Sequence, residues 1–405
     1  MDRAIFEDLD VVIVGGGICG LATALALHRK GMKSIVMERS EALRATGGGI
    51  GIPANGWRAL DELGVASKLR LNAILLEKVR DIFLNGSKRQ EELTSFSNIG
   101  EVRCVKRSDL IEALAQDLPL GTIRFGCQIL SVKLDTNSCF TILHLNNGNT
   151  IRAKVLIGCD GANSVVGDFL ELKPKKLHSS CAVRGFTYFP NGHGFAHELV
   201  RARRDNTLFG MAPVTDNLAC WFVVHQWHLQ DSKVFKDQEI IKQMTLESIK
   251  GFPSEKIQLV KNCDISTLTL THLRYRAPWD ILLGQFRRGT VTVAGDSMHV
   301  MAPFVGQGGS SGIEDAVVLA RCMTRKSIQA NNDPKEFKGQ KLIEEAMDEY
   351  VKERRMRLVK LSTQAYLIGS LLDTSSSLLK LIFFVLLGAF FRDQFGHARY
   401  NCGHL

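Results

Sequence analysis

The sequence predicts an α/β fold that consists of a Rossmann-like dinucleotide-binding domain, an inserted antiparallel-sheet domain and C-terminal helices. A strand of β-branched residues ends at a Gly-X-Gly-X-X-Gly motif, residues 15–20, and a helical segment begins directly behind it. A second strand ends at Glu38, and two later apolar strands end in turns that contain Asp160 and Asp296. Between these motifs, residues 175–272 contain short strand-like segments joined by polar turns, which is typical of an antiparallel sheet.

The glycine motif has the residues that a dinucleotide site requires. Gly15 allows a sharp turn, Gly17 lets the backbone approach a pyrophosphate, and Gly20 lets the helix pack closely on the strand. The helix N-terminus adds free N–H groups and the positive end of its dipole. Glu38 stands where an acid accepts hydrogen bonds from an adenosine ribose. The motif therefore predicts a bound dinucleotide, but it does not distinguish FAD from NAD(P).

The composition describes an ordinary globular protein of 405 residues, with 45% hydrophobic and 23% charged residues. The formal net charge is +9, but the basic residues form small scattered groups without interleaved aromatic residues, so we expect no nucleic-acid partner. The ten cysteines form no CxxC pair and no metal-ligand spacing, which predicts reduced cysteines and no metal site. The acidic N-terminus lacks the apolar segment of a signal peptide, and we therefore expect a cytoplasmic protein.

Changes in sequence texture predict where the domains begin and end. We expect the following division: 1–72, first part of the nucleotide-binding domain; 73–105, a hairpin toward the substrate domain; 106–174, second part of the nucleotide-binding domain; 175–272, substrate-binding sheet domain; 273–330, third part of the nucleotide-binding domain; 331–405, a C-terminal helical region with an apolar tail.

Local patterns predict individual elements inside these domains. Asn85-Gly86 predicts the turn of the hairpin. A helix with its cap near Ser108 follows, and an amphipathic helix is expected near 239–250. The glycine-rich residues 44–56 are expected to form a long mobile loop against a flat ligand.

The C-terminal region leaves one question open. A long charged helix is expected over 336–372, with Arg354, Arg355 and Arg357 on its solvent face. The apolar tail 378–391 is too short for a confident membrane span, which needs about 20 residues. It is either a buried closing helix or an interfacial anchor that gives the protein a peripheral membrane association.

Three motifs in this order resemble those of the class A flavoprotein monooxygenases, the group of para-hydroxybenzoate hydroxylase, salicylate hydroxylase and zeaxanthin epoxidase. They are the glycine motif at 15–20, the Gly-Cys-Asp-Gly-Ala-Asn-Ser sequence at 158–164, and the Gly-Asp-Ser-Met-His sequence at 295–299 with the glycines of 306–309. The stretch 55–64 is most similar to plant FAD-dependent members. The resemblance implies an FAD-binding domain of the para-hydroxybenzoate hydroxylase type, and an oxidoreductase of plant secondary metabolism.

The resemblance also implies roles for individual residues. Glu38 would bind the FAD ribose, and Arg44 and Arg107 would lie over the pyrophosphate. Asp160 would serve both FAD and NADPH, and Asp296 would hold the ribityl chain. The alternatives are that Arg44 and Arg107 are ordinary surface arginines and that Asp160 only orders its loop. The implied cofactor-binding residues are Gly15, Gly17, Ile18, Cys19, Gly20, Glu38, Arg39, Arg44, Gly51, Arg107, Leu130, Asp160, Gly161, Asp296, Pro303, Gly306, Gly308 and Gly309.

The resemblance places the reacting end of the flavin near a proline turn. Pro303, Gly306 and Gln307 would lie on the catalytic side of the ring, without any side chain acting as a base. The helix that begins at Gly308 would direct its N–H groups to the flavin pyrimidine edge and stabilise negative charge there. A structural role is expected for His299, in preference to a catalytic one.

The reaction implied by the family uses FAD, NADPH or NADH as a transient reductant, and O2. A flavin C4a-hydroperoxide would pass one oxygen atom to an aromatic or phenolic small molecule. Three alternatives stay open: an epoxidase of an alkene or isoprenoid, a flavoprotein reductase on the same fold, and an FAD-binding sensor or scaffold. The sequence leaves the substrate, its regiochemistry and the oligomeric state undetermined.

Candidate substrate contacts lie on strand-like segments of the inserted domain. Such residues are often ordinary core residues, which is the competing interpretation. The candidates are Arg184, Phe209, Met211, Trp221 and His225, together with His193.

Overall fold

The computed structural model describes residues 6–43, 47–86, 88–135, 140–226, 237–329 and 339–405. The strands within these ranges are β1 (Phe6–Val14), β2 (Ile35–Met37), β3 (Gly49–Ile52), β4 (Lys78–Asn85), β5 (Lys88–Ser95), β6 (Arg103–Lys106), β7 (Ile123–Arg124), β8 (Ile129–Leu134), β9 (Thr141–Leu145), β10 (Thr150–Gly158), β11 (Lys176–Tyr188), β12 (Glu198–Arg204), β13 (Thr207–Thr215), β14 (Leu218–Gln226), β15 (Thr269–Tyr275), β16 (Arg287–Arg288) and β17 (Val291–Val293).

The same ranges contain α-helices of four to 34 residues. They are α1 (Ile18–Arg29), α2 (Ala54–Glu62), α3 (Ala66–Arg70), α4 (Arg107–Gln116), α5 (Val165–Phe169), α6 (Gln238–Ser248), α7 (Ser254–Lys261), α8 (Pro278–Leu283), α9 (Asp296–His299), α10 (Gly308–Gln329), α11 (Gln340–Asp373) and α12 (Ser377–Phe390). Short 3₁₀ turns occur at Gly161–Asn163, Ile265–Thr267, Pro303–Val305 and Gly396–Arg399.

The first sheet is the nucleotide-binding sheet that the sequence predicts. Its strands follow the order β16-β17-β10-β1-β2-β7, and the five from β17 to β7 run parallel. Strands β8 and β9 join the first half of β10 as an antiparallel extension. Residues 11–14 of β1 and the apolar residues of β10 are buried on both faces, as expected for central parallel strands. Because parallel strands end at the same edge, β1, β10 and β17 bring the three sequence motifs together there.

The second sheet has seven strands in the order β15-β11-β14-β13-β12-β4-β5. All neighbours are antiparallel except β12 and β4. The hairpin β4–β5 belongs to this sheet, and Gly86 in its turn has a φ of +58°. The predicted helix near 239–250 is α6, but the sequence did not predict the second helix, α7. The predicted fold class is confirmed, whereas the domain boundaries stay a prediction.

A two-stranded ribbon, β3 with β6, lies between the two sheets. Gly49 approaches the second sheet so closely that an added Cβ would lie 2.6 Å from the Sγ of Cys220. The prediction of a loop over 44–56 was therefore wrong for 49–52, which form strand β3, and for 54–56, which begin α2. Backbone pairing with β6 explains the difference, because it requires no particular side chain on the glycine-rich strand.

The helix predicted with its cap near Ser108 is α4; its N-cap is Lys106, and the Ser108 hydroxyl donates to Asp109. The prediction that Arg354 and Arg357 lie on the solvent face of α11 was wrong, because the Arg354 side chain is fully buried and that of Arg357 is only 7% exposed. Carboxylates on the neighbouring helix α10 pair with Arg354, and a pattern within α11 alone does not reveal them.

The C-terminal helix α12 has no buried residue, so the prediction of a buried closing helix was wrong. It packs on α11 through one side and is otherwise exposed. No helix in the described part of the chain is both long enough and apolar enough to cross a bilayer. The remaining alternative, an interfacial helix, is considered below.

Candidate active site

The glycine motif forms a tight turn between β1 and α1. A Cβ on Gly15, whose φ is +103°, would lie 2.5 Å from the carbonyl oxygen of Cys159. A Cβ on Gly20 would lie 1.9 Å from the carbonyl oxygen of Gly15. A Cβ on Gly17 would meet nothing within 4 Å. Close packing within the protein therefore requires glycine at 15 and 20, whereas Gly17 faces open space.

The N-terminus of α1 borders that open space. The helix begins at Ile18 with Gly17 as its N-cap, without a side-chain cap and without an acid in its first turn. Its first N–H groups are thus available to an anion. Cys19 has a packing role, since its Sγ lies 3.8 Å from that of Cys159, and this hydrogen bond and burial raise the pKa of its thiol.

Glu38 lies at the end of β2 and tightens the same turn. Its Oε2 accepts a hydrogen bond from the Gly16 N–H at 2.7 Å, and its Oε1 accepts one from the Ser40 N–H at 2.9 Å. Its neighbour Arg39 is exposed. Leu130 on β8 is 56% exposed.

Asp160 ties the second motif to the third. Its Oδ1 accepts hydrogen bonds from the hydroxyls of Ser164 and Ser297, and its Oδ2 accepts one from the Val165 N–H at 2.7 Å. Ser297 in turn accepts the Gly161 N–H at 2.9 Å. Burial raises the pKa of Asp160. The loop-ordering role considered for Asp160 is thus present in the structure.

Asp296 lies at the open edge of the sheet, where β17 ends. Its side chain is exposed to solvent, but many protein atoms surround it. The resulting weak solvation raises its pKa, whereas the charges of His299 and Arg107 lower it. A Cβ on Gly308 would lie 4.0 Å from its Oδ1. Asp296, Pro303 and Gly306 are all exposed here, so this edge is open to a ligand.

The N-terminus of α10 lies beside this opening. It has no acid in its first turn, and a Cβ on Gly309 would lie 2.6 Å from Ile50 of β3. The Gln307 side chain is fully buried and points away, since its Oε1 accepts a hydrogen bond from Asn55 at 2.8 Å. Asn55 also donates to Glu314 at 2.6 Å. The Gln307 side chain is therefore not placed to contact a ligand.

A buried charge cluster supports the α10 terminus. Arg354 donates to Glu314 Oε2 and Asp315 Oδ1, each at 2.7 Å. Asp315 Oδ2 lies 2.6 Å from His299 Nε2 and accepts the Gly295 N–H at 2.8 Å. Burial alone would raise the pKa of Asp315, but His299 and Arg354 lower it to about 2. His299 is thus a structural residue of the third motif. The sequence did not predict this cluster, because its members come from separate elements.

Two arginines lie on either side of the 47–48 backbone. A Cβ on Gly47 would lie 2.6 Å from Arg107 Cδ, and a Cβ on Gly48 would lie 3.0 Å from Arg184 Cβ. Arg184 donates to the Thr271 hydroxyl at 2.8 Å. Burial, followed by the charge of Arg107, lowers the pKa of Arg184. This part of the site is positively charged and suits an anionic group. Arg44, the other predicted arginine, lies outside the described residues.

Gly51 is the remaining predicted glycine of this region. It lies in β3, is exposed, and an added Cβ would meet nothing within 4 Å. It therefore faces open space in the same way as Gly17, Gly161 and Gly306.

The structure does not bring most of the predicted substrate residues to this opening. Phe209, Met211 and Trp221 are buried in the core between the second sheet and helices α6 and α7, with Ile241 and Phe252. Side chains of a strand alternate between faces, so these three point to the face opposite that of Arg184. Phe209, Met211 and Trp221 are therefore ordinary core residues, as the competing interpretation of the sequence has it.

The two histidine candidates also lie away from Arg184. His225 Nε2 is 3.7 Å from Cys181 Sγ, and its Nδ1 contacts the backbone of Gln226. His193 Nε2 lies 2.7 Å from the Thr215 carbonyl oxygen.

Other residues line the face that carries Arg184. Leu208, Phe222 and Val224 pack there in one cluster with Ala302 and Phe304 of the proline turn. Sequence reasoning missed them. The sequence alone does not distinguish these residues, because β13 and β14 are apolar on both faces. Only once the register of the strands is known does the alternation along each strand place them on the face of Arg184.

Comparison with known proteins identifies the family. The chain matches the family described as an FAD binding domain over residues 8–333. It is 54% identical over 401 residues to Monooxygenase 1 of Arabidopsis thaliana, which covers 98% of this chain and 100% of that protein. It is 39% identical over 365 residues to Monooxygenase 2 of the same plant, with 89% of each chain covered.

Solved structures share the fold. HpxO of Klebsiella pneumoniae, in complex with FAD and uric acid, superposes with a TM-score of 0.78 at 18% identity, over 96% of each chain. PqsL of Pseudomonas aeruginosa, in complex with 2-aminobenzoylacetate, superposes with a TM-score of 0.71 at 19% identity, over 94% of this chain and 100% of that one. From the family match and its identity to the two plant proteins, this chain belongs to the FAD-binding family and is an FAD-dependent monooxygenase.

Proposed function

We propose that this enzyme uses NADPH or NADH as reductant and transfers one oxygen atom from O2 to an aromatic or phenolic small molecule. The observation that carries the proposal is the convergence of three motif-bearing strand ends on one open edge, beneath the sheet face that carries Arg184. The other oxygen atom leaves as water. When bound, FAD supplies hydride acceptance and the activation of O2.

The first motif would hold the adenosine and pyrophosphate end of FAD. The open position at Gly17 and the uncapped N-terminus of α1 suit the pyrophosphate. Arg107 would add positive charge there, and Glu38 would accept hydrogen bonds from the ribose while it fixes Gly16. These residues would anchor the cofactor at a distance from the reaction.

The third motif would hold the reacting end of FAD. Asp296 would accept hydrogen bonds from the ribityl chain, and the exposed Pro303 and Gly306 would lie beside the ring. The N–H groups at Gly308 and Gly309 would face the pyrimidine edge, where the positive helix terminus stabilises negative charge on the reduced ring. The buried cluster around Arg354 would hold that terminus rigid.

Arg184 would orient the substrate. Its guanidinium lies in a weakly solvated setting, with Phe222 and Phe304 in the apolar cluster nearby. A planar ring that carries a phenolate or carboxylate oxygen fits such surroundings, since the ring packs on apolar side chains and the oxygen accepts from Arg184. The structures of HpxO and PqsL were solved in complex with a planar, weakly acidic heterocycle, uric acid, and with an aromatic keto acid, 2-aminobenzoylacetate, which supports an acidic ring compound as substrate class.

Substrate-stimulated NADPH oxidation tests this proposal. The purified FAD-loaded enzyme is expected to oxidise NADPH faster when a suitable phenol or aromatic acid is added, with one hydroxylated product per NADPH consumed. The variant Arg184→Gln is expected to raise KM for an anionic substrate by about 10- to 100-fold, because a charge-assisted hydrogen bond is lost.

The matched control is Arg89→Gln, an exposed arginine on β5 that pairs with Glu91. It should leave KM unchanged. Product formation under strict exclusion of O2 would contradict the proposal and favour a reductase. An unchanged KM in Arg184→Gln would contradict only the proposed role of Arg184, and not the proposed reaction.

A further inference from the structure

Helix α12 exposes more large apolar side chains than its surroundings can cover. Leu378, Leu381 and Phe384 are 68%, 59% and 68% exposed, and Ile382 and Val385 are 44% and 57% exposed. A folded protein in water rarely leaves so many such side chains together on one short element. The described residues leave this face uncovered, and the face therefore suits an occupant from outside them.

The exposed side chains form a continuous face. In an α-helix each residue turns the helix by about 100°, so these five side chains fall within an arc of about 160°. The half-buried Phe383, Leu386 and Leu387 lie on the opposite side, which packs on α11. Leu379 and Phe390 also fall on that side, but they lie near the two ends of the helix and are 43% and 71% exposed. The helix thus has one side fixed to the protein and the other directed outward.

The helix itself carries one charged residue, Lys380, and no acid. Arg392 follows it, and the flanking acids Asp373 and Asp393 are paired with His178 and Arg399. Lys380 falls at the border between the exposed arc and the packed side, where a long side chain can extend toward charged groups while its stem stays apolar.

A second apolar and basic patch lies on α8, which packs on the same helix α11. There Trp279 and Leu283 are 45% and 78% exposed. The Nζ of Lys176 lies 5.1 Å from the Trp279 ring, and Trp279 contacts Tyr366 of α11 at 5.5 Å. Lys176 belongs to the basic stretch 173–176.

We propose that the exposed face of α12 docks on an anionic lipid surface, with the helix lying in the plane of the membrane. Fourteen residues are too short to cross the hydrocarbon core, which needs about 20. Acyl chains can cover the whole arc, while anionic headgroups pair with Lys380, Arg392 and the stretch 173–176. The net charge of +9 of the whole protein also favours its attraction to an anionic surface.

A second copy of this chain fits the surface less well. Two copies that pair symmetrically through α12 bring the two Lys380 side chains toward each other, and the helix carries no acid that neutralises them. An anionic lipid surface removes that repulsion.

Vesicle flotation with the FAD-loaded full chain tests the proposal. The protein is expected to float with vesicles of phosphatidylcholine and phosphatidylserine. A smaller fraction of the protein should float with vesicles of phosphatidylcholine alone, and the fraction that floats with the mixed vesicles should fall as the salt concentration is raised. The variant Leu381→Ser/Phe384→Ser/Val385→Ser is expected to lower binding by about tenfold or more, because apolar area drives insertion.

A matched control carries three serines at other exposed leucines, Leu71→Ser/Leu93→Ser/Leu120→Ser, which are 84%, 56% and 104% exposed. It should bind as the unchanged protein does. Bound flavin absorbance and NADPH oxidation without vesicles verify that each variant is folded, and they do not depend on docking. Failure of the unchanged protein to float, or equal flotation of the α12 variant, overturns the proposal. A dimer that the α12 variant converts to monomers, without vesicle binding, assigns the face to a second copy instead.

Discussion

Alanine at Gly17 is expected to weaken FAD binding and leave the fold intact, whereas alanine at Gly20 is expected to damage the fold. Gly17 has an ordinary φ of −84° and its Cβ would meet nothing in the protein, so the methyl group projects only into the proposed pyrophosphate position. We expect the FAD dissociation constant to rise by about 10- to 100-fold, as for the loss of one or two hydrogen bonds to a charged group. The stability of the FAD-free protein should stay the same or rise slightly.

Gly20 provides the matched comparison on the same helix. Its Cβ would overlap the Gly15 carbonyl oxygen at 1.9 Å, so β1 and α1 must separate. Overpacking of this kind costs about 1–3 kcal/mol of unfolding free energy or more. Urea unfolding of both FAD-free variants and fluorescence titration with FAD measure the two effects. If Gly17→Ala bound FAD as tightly as the unchanged protein, the proposed cofactor position would be incorrect.

Replacing Arg354 by methionine is expected to destabilise the protein by about 3–5 kcal/mol, since it removes the buried cation that two buried carboxylates share, and Arg357 and His299 then remain as the partners of Glu314 and Asp315. Glu314 and Asp315 are fully buried, and both accept hydrogen bonds from Arg354. Asp315 also holds His299 and the Gly295 N–H, so the third motif should loosen with it. We therefore expect weaker retention of FAD as well as a lower unfolding free energy.

The control for this variant is Arg325→Met on helix α10. Arg325 pairs with Glu349, but its side chain is 53% exposed, and such surface pairs contribute less than about 1 kcal/mol. Thermal and denaturant unfolding compare the two variants directly. Equal stability losses in both would show that the buried cluster has no special role.

Local sequence patterns were sufficient to predict the nucleotide-binding half of the fold. Gly20 is required by a contact with Gly15 within one strand–turn–helix unit, whereas a Cβ on Gly15 would meet Cys159 at the end of β10. Parallel strands necessarily bring Asp160 and Asp296 to the same edge. The meeting of the motifs at that edge could therefore be predicted, whereas the roles of these residues toward a cofactor stay predictions. What the sequence did not predict there is the hydrogen bond from Ser297 to Asp160, because it joins two motifs far apart in the chain.

The sheet face that carries Arg184 could not be predicted in the same way. Strands β13 and β14 are buried on both faces, so neither alternation nor hydrophobicity tells Phe209 from Phe222. Arg354 was misassigned for a related reason. The pattern of α11 does not reveal that α10 places Glu314 and Asp315 against it. Both errors concern partners that are distant in sequence.

We propose that this enzyme transfers oxygen from O2 to its substrate. Turnover of a responsive aromatic substrate under O2 enriched in the heavy isotope, with mass spectrometry of the product, shows where the added oxygen comes from. We predict one heavy oxygen atom in each product molecule, and none when the heavy isotope is supplied in water instead. A product whose added oxygen comes from water, or that contains no added oxygen, would contradict the account.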